Sequence, residues 1–187
     1  MLSFLRMSNG MNKHRLAKPI DGSFFLALIT TAIFALPSLP TVVFAAELLR
    51  FAKVNDFVYR SAQPDSAGFR KIAERGVHTV IDLRSDGGRA DAEKVLVESL
   101  GMRYVNIPLR SWRRPRTDQI DHILHLLSDT HLRPFHIHCQ RGAERTGVVV
   151  AVSRIVFDGW DAPQAYAEMQ KFDFRRYFVP MKRFIFD

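Results

Sequence analysis

Residues 138–147 read His-Cys-Gln-Arg-Gly-Ala-Glu-Arg-Thr-Gly and contain the only cysteine of the 187-residue chain. Arg145 follows Cys139 by six positions, and Gly142 lies between them. The thiolate is the nucleophilic form of cysteine, and nearby cations and a helix N-terminus favour it. The backbone N–H groups of a tight loop can surround a phosphoryl group, and an arginine fork fits two of its oxygens. These residue types at this spacing predict a phosphate-binding loop with a cysteine nucleophile.

The residues around this loop predict how it is held. Phe135 and Ile137 precede it, and a run of valines follows it from Val148, which indicates strand, loop and helix. The rest of the chain alternates in the same way, so we expect an α/β fold with helices on both faces of a sheet. Strands are predicted at 51–54 and 57–60, which form an opening hairpin, and at 77–83, 102–109 and 135–138. Helices are predicted at 65–75, at about 92–100, in a segment capped by Thr117, after Arg145 and at about 161–172, and a turn at 86–88. The helix after Arg145 is expected to present Val148, Val152, Ile155 and Val156 on one apolar side.

The extended pattern His-Cys-x-x-Gly-x-x-Arg-Thr-Gly resembles the phosphate loop of the cysteine-dependent protein tyrosine phosphatase superfamily, in its small dual-specificity branch. Residues 59–64 (Tyr-Arg-Ser-Ala-Gln-Pro) and 159–169 are also similar to bacterial members. The resemblance implies a central, mostly parallel sheet flanked by helices, with the active site on a strand–phosphate loop–helix segment. It implies an enzyme that hydrolyses phosphate monoesters. No metal or cofactor is expected, since the histidines show no ligand spacing beyond His136-x-His138.

The resemblance also implies a role for each residue of the loop. Cys139 attacks phosphorus to form a phosphocysteine, which water then hydrolyses, and Arg145 stabilises the transition state. Thr146 assists the thiolate when it leaves, and His138 orients the loop backbone. The phosphate-binding residues are then Gln140, Arg141, Gly142, Ala143, Glu144 and Arg145.

The general acid is where the sequence departs from the family. Members usually carry an aspartate a few residues ahead of a proline, and here Ser111 or Trp112 occupies that position. Three acids remain as alternatives. Asp118 is the preferred catalytic acid, although it also suits the start of a helix. Glu144 lies inside the loop, where it could instead pair with an arginine, and Asp86 follows a strand as a turn residue.

Charge suggests an anionic substrate. The chain carries a net charge of +8, and its basic residues are spread along the sequence rather than packed into one run. Residues 110–116 hold four arginines, which we expect at the rim of the site. A phosphorylated protein, a phosphoinositide or an inositol phosphate fits this rim, and a nucleic acid is not expected. Two competing hypotheses are a catalytically weak phosphate-recognition module and a charge-driven nucleic-acid or membrane-surface binder, which needs a continuous basic face.

The N-terminus predicts export. A basic lead is followed by an apolar run from Phe24 to Leu36, by Pro37 and Pro40, and by small residues that end at Ala45. Residues 1–45 are therefore interpreted as a signal peptide or, alternatively, a membrane anchor, since 24–46 approaches the length that spans a bilayer. Residues 46–187 form the catalytic domain, which we expect in the periplasm or tethered outside the inner membrane.

Overall fold

A computed structural model describes residues 48–85 and 87–187 of the chain. The predicted signal peptide or anchor at 1–45 and the acid alternative Asp86 lie outside these residues. Within the described ranges, none of the helices combines the length and apolarity that a bilayer crossing requires.

Five strands form one sheet in the order β1-β2-β5-β3-β4. The strands are β1 Ala52–Lys53, β2 Val58–Ala62, β3 Thr79–Asp82, β4 Arg103–Asn106 and β5 Phe135–Cys139. β1 runs antiparallel to β2, as the predicted opening hairpin requires, and the other neighbours are parallel. The predicted mostly parallel α/β sheet is confirmed.

Helices cover both faces of the sheet. They are α1 Ser66–Glu74, α2 Gly87–Ser99, α3 Thr117–Ser128, α4 Glu144–Asp158, α5 Ala162–Lys171 and α6 Val179–Phe186. Successive side chains of a strand point to opposite faces. Ile81 accordingly packs with α3 and α4, whereas Val80 packs with α1 and α2.

The structure differs from the predicted elements at the start of α2, at the start of α3 and at α6. The expected turn at 86–88 is wrong for Gly87 and Gly88, which open α2; the first turn of a helix has no intrahelical N–H bonds to lose, so glycine is tolerated there. Thr117 does not cap α3 but is its first residue, and the backbone N–H of Arg116 donates to Gln119 instead. α6 was not predicted at all.

α4 is buried on two sides, which the sequence pattern did not indicate. Val149 and Val150 pack against the sheet, while Val148 and Ala151 pack against α5 and α6. Val156, predicted on the apolar side, is exposed. The helix that follows the phosphate loop is therefore clamped between the sheet and the C-terminal helices, which fixes its N-terminus.

Candidate active site

The sheet brings four segments to one edge. Because β2, β5, β3 and β4 are parallel, the segments that follow them lie at the same edge of the sheet. These segments are 63–65, 140–143, 83–85 and 107–116. The loop after β5 lies between the segments after β2 and β3, and it leads directly into α4.

Cys139 sits at the base of this loop with its side chain turned inward. The residue is only 1% exposed, and its Sγ accepts a hydrogen bond from the backbone N–H of Gly142 at 3.2 Å. α4 begins at Glu144, so its unpaired N-terminal N–H groups and its dipole favour an anion at the loop. Arg145, in the first turn, donates to the Leu83 carbonyl at 3.3 Å and links the loop to the end of β3.

Gly142 is required by the shape of the loop. Its φ of +68° lies in the left-handed region, which disfavours a side chain. A Cβ at this position would approach the carbonyl oxygen of Ser61 to 2.5 Å, because the loop is pressed against the end of β2. The loop can therefore turn tightly only with glycine here.

Three donors hold the outer side of the loop. The carbonyls of three consecutive loop residues point away from the site, and each accepts a hydrogen bond from the N-terminal part of the chain. The bonds are Gln63 N–H to the Gln140 carbonyl (3.4 Å), Arg50 to the Arg141 carbonyl (3.0 Å) and Arg60 to the Gly142 carbonyl (2.7 Å). With its carbonyls fixed outward, the loop keeps its N–H groups available on the inner side.

Arg60 is the most buried of these donors, at 1% exposure. Its guanidinium lies 3.8 Å from the centroid of the Phe172 ring, and burial lowers its pKa to about 10. The charges of Glu168 and Cys139 act in the opposite direction and favour the charged guanidinium. Its Nε and Nη1 atoms have no hydrogen-bond partner among the described residues. A buried cation thus stands behind the loop and is electrostatically coupled to the cysteine.

His138 belongs to a buried charged network on the other side. Its Nε2 lies 2.9 Å from a carboxylate oxygen of Glu93, out of line for a hydrogen bond. Arg84 bridges Glu93 and Asp82, at 2.8 Å to each. Although burial alone raises the pKa of Asp82, the hydrogen bonds from Arg84 lower it overall. The network ties α2 to the strand that carries Cys139.

Asp82, Glu93 and His138 also form a cluster that could hold a cation, since their ligand atoms lie within 4.8 Å of one another. The guanidinium of Arg84 already binds both carboxylates and supplies the positive charge between them. The donor set therefore acts as an ion-pair network that positions His138.

His136, two residues before His138 on the same strand, is neutral. Its Nε2 lies 2.8 Å from the Ser61 hydroxyl, its ring stacks on that of His138, and complete burial lowers its pKa well below 6.5. The predicted His136-x-His138 pair thus lies inside the protein, beneath the loop.

The remaining predicted loop residues differ in exposure. Gln140 is exposed and Ala143 is buried, while Arg141 is half-buried and pairs with the buried Glu144. The Thr146 hydroxyl is buried, without a hydrogen-bond partner among the described residues. The predicted phosphate-binding residues lie in the loop and in the first turn of α4, which also carries Thr146.

The environment of Asp118 opposes the role of a general acid. The side chain is exposed and binds Arg116 through both carboxylate oxygens. This hydrogen bonding lowers the pKa of Asp118, so the carboxyl group is ionised at neutral pH. Glu144, the alternative, is paired with Arg141. The identity of the acid stays a prediction.

The loop after β4 forms an arginine-rich cleft of about 340 Å³, lined by Arg110, Arg113, Arg114 and Arg116 together with Pro108, Pro115 and Gln119. Arg114 pairs with Asp187 and Arg116 with Asp118. Trp112 packs on Phe178, with 4.4 Å between ring centroids, and fastens the loop to the C-terminal segment.

A wider groove of about 610 Å³ borders the phosphate loop on its other side. Gln63 and Gln140 line it at the loop, Arg84 and Arg89 contribute positive charge, and Phe69 provides an apolar wall. Because Gln140, the residue after Cys139, lines the groove, it can receive the part of a substrate that extends beyond its phosphate.

Sequence reasoning missed the residues that support the loop from a distance. Arg50 and Glu93 lie far from the motif in sequence, and no local pattern connects them with it. Arg60 lies in the segment 59–64 that resembles bacterial members, but the resemblance does not connect it with the loop. One signal was present: Asp82 and Arg84 place charges at the end of a predicted buried strand, which requires partners.

A cysteine at the base of a loop of inward N–H groups, followed by an arginine in the first turn of a helix, defines a cysteine-phosphatase phosphate loop. The chain belongs to the family described as DSP-PTPase phosphatase fused to NAD+ kinase, whose model matches residues 35–178.

Individual proteins similar to this chain are also phosphatases. The chain is 29% identical over 119 residues to the dual specificity protein phosphatase TpbA of Pseudomonas aeruginosa (strain UCBPP-PA14), a match that covers 64% of this chain and 52% of TpbA. It is 24% identical over 141 residues to the inositol diphosphatase DSP4 of Arabidopsis thaliana, covering 73% of this chain and 70% of that protein. The chain thus spans about half the length of TpbA.

A solved structure shares the fold. The catalytic core of the PP-IP phosphatase SIW14 from S. cerevisiae superposes with a TM-score of 0.65 at 20% identity, over 74% of this chain and 84% of that core. The predicted dual-specificity phosphatase-like fold is confirmed.

Proposed function

We propose that this protein hydrolyses phosphate monoesters through a phosphocysteine intermediate on Cys139. The observation that carries the proposal is the hydrogen bond from the Gly142 N–H to Cys139 Sγ, which holds the nucleophilic sulfur at the centre of the loop. The sulfur attacks phosphorus, an S–P bond forms, and the P–O bond to the leaving group breaks. Water then cleaves the S–P bond and releases inorganic phosphate and the thiolate.

The loop and Arg145 supply the electrostatic part of catalysis. N–H groups fixed by the three outer donors need not reorganise when charge develops on the phosphoryl oxygens. Arg145 already reaches across the site to the Leu83 carbonyl, and a bound phosphate offers its guanidinium a stronger, charged partner. The buried hydroxyl of Thr146 is available to donate to the thiolate when water displaces it.

We further propose that the preferred substrates have acidic leaving groups, such as aryl phosphates and phosphoanhydrides. The support is the ionised state of Asp118, because a leaving group of low pKa needs little protonation. We expect Asp118→Asn to keep most of the turnover of an aryl phosphate. A loss that grows with the pKa of the leaving group, across a series of substituted aryl phosphates, would instead make Asp118 the acid.

The arginine-rich cleft favours a polyanion, and an inositol phosphate is the second candidate substrate beside a phosphoprotein. Steady-state turnover of an inositol diphosphate and a phosphotyrosine peptide by the same preparation distinguishes them. A phosphate-recognition module without catalysis takes the place of the enzyme if both ligands bind and neither is turned over.

We also propose that the domain functions outside the cytoplasm, on the evidence of the basic lead and apolar run at the N-terminus. N-terminal sequencing of the protein recovered from a periplasmic fraction should begin at Ala46. Recovery of the intact N-terminus in the cytoplasmic fraction contradicts export.

A further inference from the structure

Exposed aromatic side chains are concentrated on one surface. Eight large hydrophobic side chains are exposed among the described residues, and four of them belong to the β4–α3 loop and the C-terminal segment. These four, Trp112, Tyr177, Val179 and Phe186, are called the aromatic–basic face below. Trp112 is 68% exposed and Tyr177 is 57% exposed. Exposed hydrophobic side chains are usually scattered singly over a protein surface, so a cluster of four is unusual.

The four side chains lie on segments that contact one another. Trp112 stacks on Phe178 and lies 5.9 Å from Tyr177, between ring centroids. Val179 and Phe186 are seven residues apart on α6 and therefore share a side of that helix, while Met181 and Ile185 on its other side are buried. Arg114 of the loop lines one cleft together with Val179, which joins the loop and α6 into one surface.

Basic residues outnumber acidic residues around this face. Residues 110–116 carry four arginines and no acid, and residues 174–187 carry four basic residues with Asp187 as their only acid. Asp187 is paired with Arg114, and Arg116 is paired with Asp118 just beyond the loop. Several cations lie over the rings, including Arg114 over Phe184 at 4.8 Å and Arg175 over Tyr177 at 5.9 Å. The aromatic rings and the cationic groups are thus adjacent on this face.

We propose that the aromatic–basic face docks on a bilayer that contains anionic phospholipid. Trp and Tyr favour the boundary between headgroups and acyl chains, and arginines beside them bind lipid phosphates. Both properties are needed together, because an apolar patch alone would not select an anionic surface. The loop after β4 lies at the same sheet edge as the phosphate loop, so docking holds the catalytic site close to the membrane surface.

The test uses the fluorescence of Trp112 in the full chain. Trp160→Phe leaves Trp112 as the only tryptophan, and it is mixed with vesicles of phosphatidylglycerol or of phosphatidylcholine. We expect a blue shift and quenching by brominated acyl chains with phosphatidylglycerol, reversed by high salt, and no such response with phosphatidylcholine. The basic N-terminal lead also attracts anionic lipid, so contact of Trp112 with the brominated chains, rather than vesicle binding itself, reports on this face. An equal response of Trp112 to both lipids overturns the proposal.

Two variants sharpen the test. Trp112→Phe leaves Trp160, which is partly buried beneath Arg154, and should not respond. Arg175→Gln with Arg176→Gln should weaken vesicle binding about fivefold for each charge removed. Unchanged binding in that double variant, or a Trp112 response to an oligonucleotide but not to vesicles, also overturns the proposal.

Discussion

Replacement of Arg60 by methionine separates the stability of this protein from its activity. The variant loses a charge-assisted hydrogen bond to the Gly142 carbonyl, worth about 1.5–3 kcal/mol, and a ring contact worth up to about 2 kcal/mol. It also removes a cation that is unfavourable to bury. The fall of the Arg60 pKa from 12.5 to about 10 corresponds to roughly 3 kcal/mol of such cost. These contributions nearly cancel, so we expect the free energy of unfolding to change by no more than about 2 kcal/mol.

For catalytic activity, in contrast to stability, no gain offsets the loss of Arg60. The Gly142 carbonyl loses the donor that fixes the loop, and the coupling between a buried positive charge and Cys139 disappears. Loss of the hydrogen bond alone predicts a fall in kcat/KM of about 10- to 100-fold, at 1.36 kcal/mol for each factor of ten. Arg60→Lys keeps the charge but not the planar fork. Its kcat/KM should therefore lie between those of the wild-type protein and Arg60→Met.

Arg133 provides a matched control. Its guanidinium also lies 3.8 Å from a ring, that of Phe57, and it also donates to a backbone carbonyl, that of Leu127, at 3.0 Å. It precedes β5 and is therefore at the opposite end of the strand from the phosphate loop. The assay is steady-state turnover of an aryl phosphate, inhibition by inorganic phosphate, and thermal unfolding of each variant. Wild-type kcat/KM and phosphate inhibition in Arg60→Met, or an equal loss in Arg133→Met, would refute the reasoning.

Two further predictions concern the loop and the buried strand beneath it. Gly142→Ala should lose turnover by at least about tenfold, because a left-handed backbone costs about 1–2 kcal/mol before the clash with Ser61 is counted. Gly88→Ala, in open space on α2, is its control and should retain full turnover. Stability should fall as pH drops below about 6.5, because His136 is neutral when folded and the unfolded chain binds the proton first. Calorimetry between pH 8 and 5 measures this fall, and a flat profile, or the same slope in His136→Gln, contradicts the assignment.

The sequence predicts those parts of the site that are local. Cys139, Gly142 and Arg145 lie within seven residues, so a phosphate loop can be identified from residue types and spacing alone. The order of the five strands and of α1 to α5 is equally accessible, because each of these elements carries its own periodicity.

Support from a distance is not accessible in this way. Arg60 reaches Gly142 only because β2 and β5 pair in parallel, with Ala62 opposite Cys139. Asp118 was preferred as the acid from its position after the loop, but whether its carboxyl group is protonated depends on Arg116, a contact set by side-chain geometry.

α6 and the start of α2 show how packing overrides local preference. α6 has eight residues and begins with a valine and a proline, and it is stabilised by packing of Met181 and Ile185 against α4 and α5. Gly87 and Gly88 favour a turn in isolation, yet they lie in a helix whose later residues, Glu93 and Val97, are buried.

Mass spectrometry of acid-quenched enzyme, taken during turnover of an aryl phosphate, tests the central claim most directly. The account predicts a covalent phosphoryl group on the peptide that contains Cys139, no adduct in Cys139→Ser, and turnover lost in that variant. Substrate turnover that persists in Cys139→Ser, or a phosphoryl group carried by another residue, would contradict a phosphocysteine mechanism at this loop.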